Sequence, residues 1–309
     1  GIRDFCQSRG LGDVYKRQGV RTGYITTVSS FDGRTESINQ HGLSMPGPLL
    51  LQKTLHDFAA KGCKYVIMEA TSEGLAQNRH LSIKFEGALF TNLTPAHLDS
   101  HGSFENYRKA KGRLFESLSS HGFIGVNVDD PNHSYFASFP ARKKFGISIR
   151  DDKTAQTEIP ILKATNIQVG EQLQFAVEGQ EFSLNIKGSF NIANALLAIG
   201  AAQTLGISLE QSAAAMKQFG GTKGRMEIIP NERNLTIIVD YAPEPASMEA
   251  SLRAALLIPH TKLIHIFGST GGHRDVGKRF EFGKISAQFA DTIIITNDDV
   301  YESNPEEIA

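Results

Sequence analysis

The sequence predicts an α/β protein on a mostly parallel sheet, and three observations carry that expectation. Short apolar runs, such as Tyr65 to Met68, Ala88 to Phe90 and Gly122 to Val128, alternate with longer segments whose apolar residues recur at helical spacing. Polar clusters follow the apolar runs directly, at the carboxyl ends of strands, where open parallel sheets gather their ligands. The 29 glycines suit many tight strand-to-helix turns. A length of 309 residues is enough for two domains. The formal net charge of -1, without a long basic block, argues against nucleic acid as a partner. Cys6 and Cys63 make neither a metal-spaced pair nor a disulfide framework. No apolar run suggests membrane insertion and no segment suggests secretion, so a cytoplasmic protein is expected.

Residues 1–18, GIRDFCQSRGLGDVYKRQ, have no helical or strand period, and their second half resembles a translated sequencing adapter. They are expected to be a foreign or disordered leader, with the natural gene product extending further upstream. From Gly19 the pattern becomes regular. Tyr24 to Ser30 reads as a strand and Asp32 to Ser44 as turn-rich. Pro46 and Pro48 introduce a helix with Leu51, Leu55 and Phe58 on one face and Gly62 as its C-cap. The strand Tyr65 to Met68 ends in Glu69. The run at Ala88 to Phe90 delivers Thr91 and Asn92 to the same kind of edge, and Gly122 to Val128 is followed by Asp129 and Asp130. Those two acids suit a solvated loop as well as a site.

A helix is expected from about Ser103, with Ser103 or Asn106 as its cap. Tyr107, Lys111 and Phe115 are spaced by four and share one face, so Lys111 falls in the apolar stripe. A lysine there is costly unless it snorkels, pairs or is chemically modified. Residues 134–190 suggest mostly antiparallel strands at Phe145 to Ile149, Ile161 to Ile167, Leu173 to Val177 and Phe182 to Ile186. A strongly helical run follows Gly188, with Asn191 and Asn194 in its first turn, as a cap or facing a ligand. A further helix spans Ser208 to Phe219, and Gly220, Gly221 and Gly224 make a linker.

The second part alternates again. Strands are expected at Met226 to Ile229 and Leu235 to Val239, the latter followed by Asp240. A helix runs from Pro245 through Leu257, and a strand from Leu263 to Phe267. The segment GSTGGHRDVGKR then combines glycines, whose amides can approach an anion, with Arg274, Lys278 and Arg279. Its spacing is not that of a Walker A loop. A helix to Ala290 and a strand from Thr292 to Thr296 follow.

Seven segments together resemble the Mur ligase family, most closely its branch that adds the third residue of the peptidoglycan stem peptide. They are MEATSEGL at 68–75, FTNLTPAHLDSHGSFENYRKAKGRLF at 90–115, NVDDP at 127–131, GSFNIANALLA at 188–198, GRMEII at 224–229, IVDYAPEP at 238–245 and FGSTGGHRDVGKR at 267–279. The resemblance implies a central ATPase domain over 19–221, lacking its glycine-rich phosphate loop, and an incomplete Rossmann-like C-terminal domain over 222–309. It implies an ATP- and Mg2+-dependent ligase that joins an amino acid to a UDP-N-acetylmuramoyl-peptide through an acyl phosphate, acting as a monomer. Glu69 and His97 match magnesium ligands, and Lys111 matches a carbamylated active-site lysine. Asn191, Asn194, Arg225 and Asp240 match nucleotide contacts. Arg79, Thr71, Ser72, Lys278 and Arg279 are carried over as substrate contacts. A divergent nucleotide-binding homologue without catalysis, and a folylpolyglutamate or cyanophycin synthetase-like ligase, are the alternatives.

Several positions depart from the family pattern. Glu73 and Pro243 stand where histidines are usual, and Ala96 and His273 where acids are usual. The acceptor segment is reduced to Ser44, Met45 and Pro46. The amino-acid-selecting segment is Asp298, Asp299, Val300 and Tyr301, without its arginine.

Overall fold

The computed structural model describes residues 20–39, 43–95, 98–150, 157–170, 172–271 and 276–308. The leader 1–18, Ala96, His97, His273 and Arg274 lie outside the described residues. The chain divides into two compact units. The first runs to Leu93 and resumes from Arg108 to Thr222; the second holds Thr94–Tyr107 and the chain from Lys223 onward. The α/β expectation holds in both.

The first unit opens with β1 (Thr22–Ile25), β2 (Ser29–Phe31) and β3 (Glu36–Ile38), then α1 (Pro48–Ala60) and β4 (Tyr65–Met68). Their sheet order is β3-β2-β1-β4, with β1 and β4 parallel and the other pairs antiparallel. The single strand expected over Tyr24 to Ser30 is two strands. Thr26 folds the chain back, its hydroxyl donating to the Ser29 carbonyl at 2.8 Å and accepting from the Ser29 amide at 3.1 Å. Helix α1 begins with Pro48 at its first position and buries Leu51 and Phe58 beside Ile25. It stops in a Schellman turn. Gly62 adopts φ +86°, its amide reaches Ala59 O at 2.9 Å, and the Cys63 amide reaches Phe58 O at 3.0 Å.

After α2 (Ser72–Ala76), β5 (Phe85–Phe90), β6 (Leu118–Asn127), β7 (Lys143–Ser148) and β8 (Ile161–Lys163) form a parallel sheet in that order. Short α3 (Leu98–His101) belongs to the second unit; α4 (Phe104–Glu116) and α5 (His133–Ala137) complete this stretch. The antiparallel sheet β11-β10-β9 comprises β9 (Thr165–Val169), β10 (Leu173–Val177) and β11 (Gln180–Leu184). Two expectations are therefore corrected. The strand at Phe145 to Ile149 is parallel, because β7 lies between β6 and β8 and buries Gly146, Ile147 and Ser148. Ile161 to Ile167 divides at Ala164 into strands of two different sheets. Period-two alternation reports a half-buried strand but not the direction of its partner.

Helix α6 (Phe190–Thr204) is apolar nearly all round and accordingly buried, with Ile192, Leu196, Ile199 and Ala201 in the main core. It packs on β6, β7 and β8. Helix α7 (Leu209–Met216) follows a capping box between Ser208 and Gln211.

The second unit contains the antiparallel pair β12 (Glu227–Ile229) and β13 (Ile237–Val239), then α8 (Pro245–Leu256), β14 (Ile264–Phe267), α9 (Gly277–Phe289), β15 (Thr292–Ile295) and α10 (Pro305–Ile308). Strands β14 and β15 are parallel. Met248, Leu252, Phe282 and Ile285 form its core, with Phe267 packed against them. No helix among the described residues is long and apolar enough to cross a membrane.

Within the β5–β6 pair, Gly87 lies opposite Phe123, whose ring fills the space a side chain at 87 would need. A Cβ on Gly87 would lie 2.2 Å from Phe123 Cζ. Gly87→Ala is expected to destabilise the protein by about 1–3 kcal/mol through overpacking. Urea denaturation checks this, and an unchanged midpoint would contradict it.

Candidate active site

Among the described residues, strands β4 and β5 each pair on one side only, and a cavity of about 210 Å³ lies against both. Its walls are apolar, with Leu89, Phe115 and Phe136 among them. Its polar residues include Glu69 after β4, Thr91 and Asn92 after β5, and Lys111 on α4, together with Tyr65 and Glu86 within the strands themselves. Of the residues expected at successive strand ends, Glu69, Thr91 and Asn92 line this space, whereas Asn127, Asp129 and Asp130 are not among its walls.

Glu69 is 6% exposed. Its Oε2 accepts from the Thr27 amide at 3.1 Å and from the Thr27 hydroxyl at 3.0 Å. The Glu69 amide donates to Ile25 O at 3.0 Å, continuing the β1–β4 pairing by one residue. Lys111 sits on the face of α4 that buries Tyr107, Ala110 and Phe115, as its spacing implied, and is itself half-buried. Phe136 seats that helix: its ring stacks on Phe90 at 4.1 Å between centroids and meets Phe115 at 5.0 Å. Ser103 provides the expected side-chain cap, accepting from the Asn106 amide at 3.1 Å.

The third strand end serves the second. Asn127 donates to Thr91 O at 2.9 Å, and Asp130 accepts from the Leu93 amide at 2.9 Å. Asp129 accepts from the Ser148 hydroxyl at 2.6 Å and from the Ile149 amide at 2.8 Å. These carboxylates clamp loops, a structural role that neither the solvated-loop reading nor the site reading of Asp129 and Asp130 had named. The signal was available in their short spacing after a strand, which suits Asx turns.

The other residues of this unit have internal partners. Thr71 caps α2, accepting from the Gly74 amide at 3.2 Å, and Ser72 is buried in the first turn. Arg79 donates to Met45 O at 2.6 Å and to Gln77, holding the Ser44–Met45–Pro46 segment. Asn191 and Asn194 are buried at the start of α6, and neither is its cap, a position held by Ser189. Asn191 donates to Lys187 O at 2.7 Å, and Asn194 donates to Asn191 Oδ1 at 3.0 Å.

In the second unit the β12–β13 register places Arg225 beside Tyr241 and Asp240 next to them. The Arg225 guanidinium lies 4.9 Å from the Tyr241 ring centroid. Lys278, in the first turn of α9, pairs with Glu244 at 2.7 Å; Arg279 reaches Glu307 O at 3.4 Å. Asp298 accepts from the Thr270 hydroxyl at 3.4 Å, and the Gly271 amide donates to Asp299 O at 2.8 Å. Thr27 and Glu244 are participants that the sequence reading did not single out.

Burial raises the Asp240 carboxyl above its ordinary range, against opposing hydrogen bonds from Ser251 and the Ala242 amide and the charge of Arg225. With the folded pKa above the unfolded one, the native state binds the proton more readily. The group's contribution is fully present below the unfolded pKa and declines as pH rises past about 4. In Asp240→Asn that decline is expected to vanish, so the stability difference moves in favour of the variant as pH rises. Denaturation at a series of pH values measures it, and parallel stability curves would contradict it.

Comparison with known proteins agrees with this architecture. A family model described as Mur ligase middle domain matches residues 11–202, and one described as Mur ligase, glutamate ligase domain matches residues 224–309. The UDP-N-acetylmuramoyl-L-alanyl-D-glutamate–2,6-diaminopimelate ligase of Bacteroides thetaiotaomicron is 33% identical over 301 residues, covering 96% of this chain and 60% of the relative. A UDP-N-acetylmuramyl-tripeptide synthetase of Roseiflexus is 33% identical over 293 residues, covering 91% and 57%. A solved 2,6-diaminopimelate ligase structure superposes with a TM-score of 0.69 at 27% identity, over 98% of this chain and 61% of that one. The chain thus spans about 60% of the length of the relatives it matches. With one family model covering residues 11–202, more than half of its length, and a second covering residues 224–309, the chain belongs to the Mur ligase family.

Proposed function

We propose that the chain is part of an ATP-dependent ligase that joins an amino acid to a UDP-N-acetylmuramoyl-peptide carboxylate in peptidoglycan synthesis. The observation that carries this reading is the presence of Glu69 and Lys111 on one cavity beside two strand ends. The names of the relatives, ligases acting on UDP-N-acetylmuramoyl-L-alanyl-D-glutamate, support it. In this reaction the acceptor carboxylate takes the γ-phosphoryl group of ATP and ADP leaves. The amine of the incoming amino acid then attacks the acyl phosphate, phosphate leaves, and the amine loses a proton. The reading places the ligase in the cytoplasm as a monomer.

The donor set suits Mg2+, which takes one or two carboxylates and leaves its other positions to water and phosphate oxygens. Glu69 supplies a buried carboxylate, and His97 remains a candidate ligand. Bound Mg2+ would supply neutralisation of charge on the transferring phosphoryl oxygens. Lys111 as an ammonium would repel such a cation. As a carbamate, formed when Nζ adds to CO2 and releases a proton, it presents oxygens to the same space. Asn191, Asn194, Arg225 and Asp240 serve the nucleotide in this reading, with Asp240 toward the ribose. Arg79, Thr71 and Ser72 serve the acceptor, and Lys278 and Arg279 an anionic substrate group.

The amino acid follows from charge. A distal carboxylate needs a cationic fork such as arginine. Asp298 and Asp299 instead favour a distal amine, so lysine or another diamine-bearing residue fits better than diaminopimelate. Amino-acid-dependent phosphate release by the ligase containing this chain, with ATP and the UDP-N-acetylmuramoyl-dipeptide, tests both points. Lysine is expected to exceed diaminopimelate in kcat/KM by roughly tenfold, the equivalent of about 1.4 kcal/mol of like-charge repulsion from Asp298 and Asp299. Preference for diaminopimelate would overturn the reading of residues 298–301. No release with any amino acid would overturn the proposed reaction.

A further inference from the structure

We propose that Thr27 is the positioning residue of Glu69, and that the β1–β2 turn is held in shape to present it; the consequence for metal binding rests on the site reading above. Thr27 places two donors, its amide at 3.1 Å and its hydroxyl at 3.0 Å, on the single oxygen Oε2 of Glu69. Two donors on one carboxylate oxygen hold that oxygen in place. The adjacent threonine does different work. Thr26 is fully buried, and its hydroxyl closes the turn on Ser29. Its carbonyl accepts from Asn39 Nδ2 at 2.7 Å, so the residue just after β3 braces the turn from the other side. Glu36, on β3, accepts from Tyr24 on β1 at 2.7 Å and from Ser29 on β2 at 2.9 Å. Three strands are thereby tied around a turn whose half-buried residue, Thr27, reaches the end of β4. Outer partners of this kind orient a metal-binding side chain and typically change metal affinity by about 10- to 100-fold when removed.

The test uses the whole chain with Thr27→Val, Thr27→Ser and Glu69→Gln. Valine keeps the shape and the amide but removes the hydroxyl; serine keeps both donors. The first readout is the Thr27 amide proton in NMR, which is expected to lie downfield in the wild type and to move upfield in Glu69→Gln. The second is affinity for Mn2+ alone, a spectroscopic stand-in for Mg2+. Thr27→Val is expected to weaken Mn2+ binding by about tenfold while Thr27→Ser stays within about twofold of the wild type. Thermal midpoints of the variants monitor the fold. An unmoved Thr27 amide in Glu69→Gln, or equal weakening by valine and serine, would overturn the positioning role. If Glu69→Gln binds Mn2+ as tightly as the wild type while the amide shift is seen, the metal reading of the site fails and Thr27 still positions Glu69.

Discussion

A carboxylate at 6% exposure is tolerable only where donors replace the water it has lost, and the bond pair from Thr27 to Glu69 meets that condition. Much of the first unit is arranged so that it can. The parallel pairing of β1 with β4 brings the β1–β2 turn level with the end of β4. The hydrogen bonds among Thr26, Ser29, Glu36 and Asn39 keep that turn from drifting. On the other wall of the cavity an aromatic cluster, not a polar one, determines where Lys111 stands. Phe136 between Phe90 and Phe115 fixes the angle of α4 against the end of β5. Polar and apolar restraints thus converge on one small volume from two sheets.

The elements whose period was unambiguous were legible in the sequence. Helix α6 is one, because apolar residues on every side of a helix require burial. The strand ends carrying Glu69, Thr91 and Asn92 are another, because a short apolar run followed by polar residues marks a buried strand leaving the sheet. The split of Tyr24 to Ser30 was hidden, since threonine and serine suit strand and turn alike and only the Thr26–Ser29 bonds distinguish them. The direction of β7 was equally hidden, because it depends on partners remote in sequence. Thr27 escaped notice for a related reason: its role exists only once residues 42 apart are neighbours.

Acidic residues of the second unit have structural partners of their own. Glu244 is ion-paired to Lys278, both largely shielded from water, so the acid at the start of α8 is balanced by a cation from α9. A pair of this sort is costly to break from one side, because the remaining charge is left partly desolvated. The Asp298–Asp299 segment is likewise held to the loop after β14 by Thr270 and Gly271.

The proposed chemistry turns on the state of Lys111, a lysine on the apolar stripe of a helix and on the same cavity as a buried carboxylate. The direct measurement is carbon-13 NMR of the protein equilibrated with labelled bicarbonate. A carbamate carbonyl resonance is expected that disappears in Lys111→Ala and persists in Lys109→Ala. A spectrum without a carbamate signal at saturating bicarbonate, or one unchanged by Lys111→Ala, would contradict it.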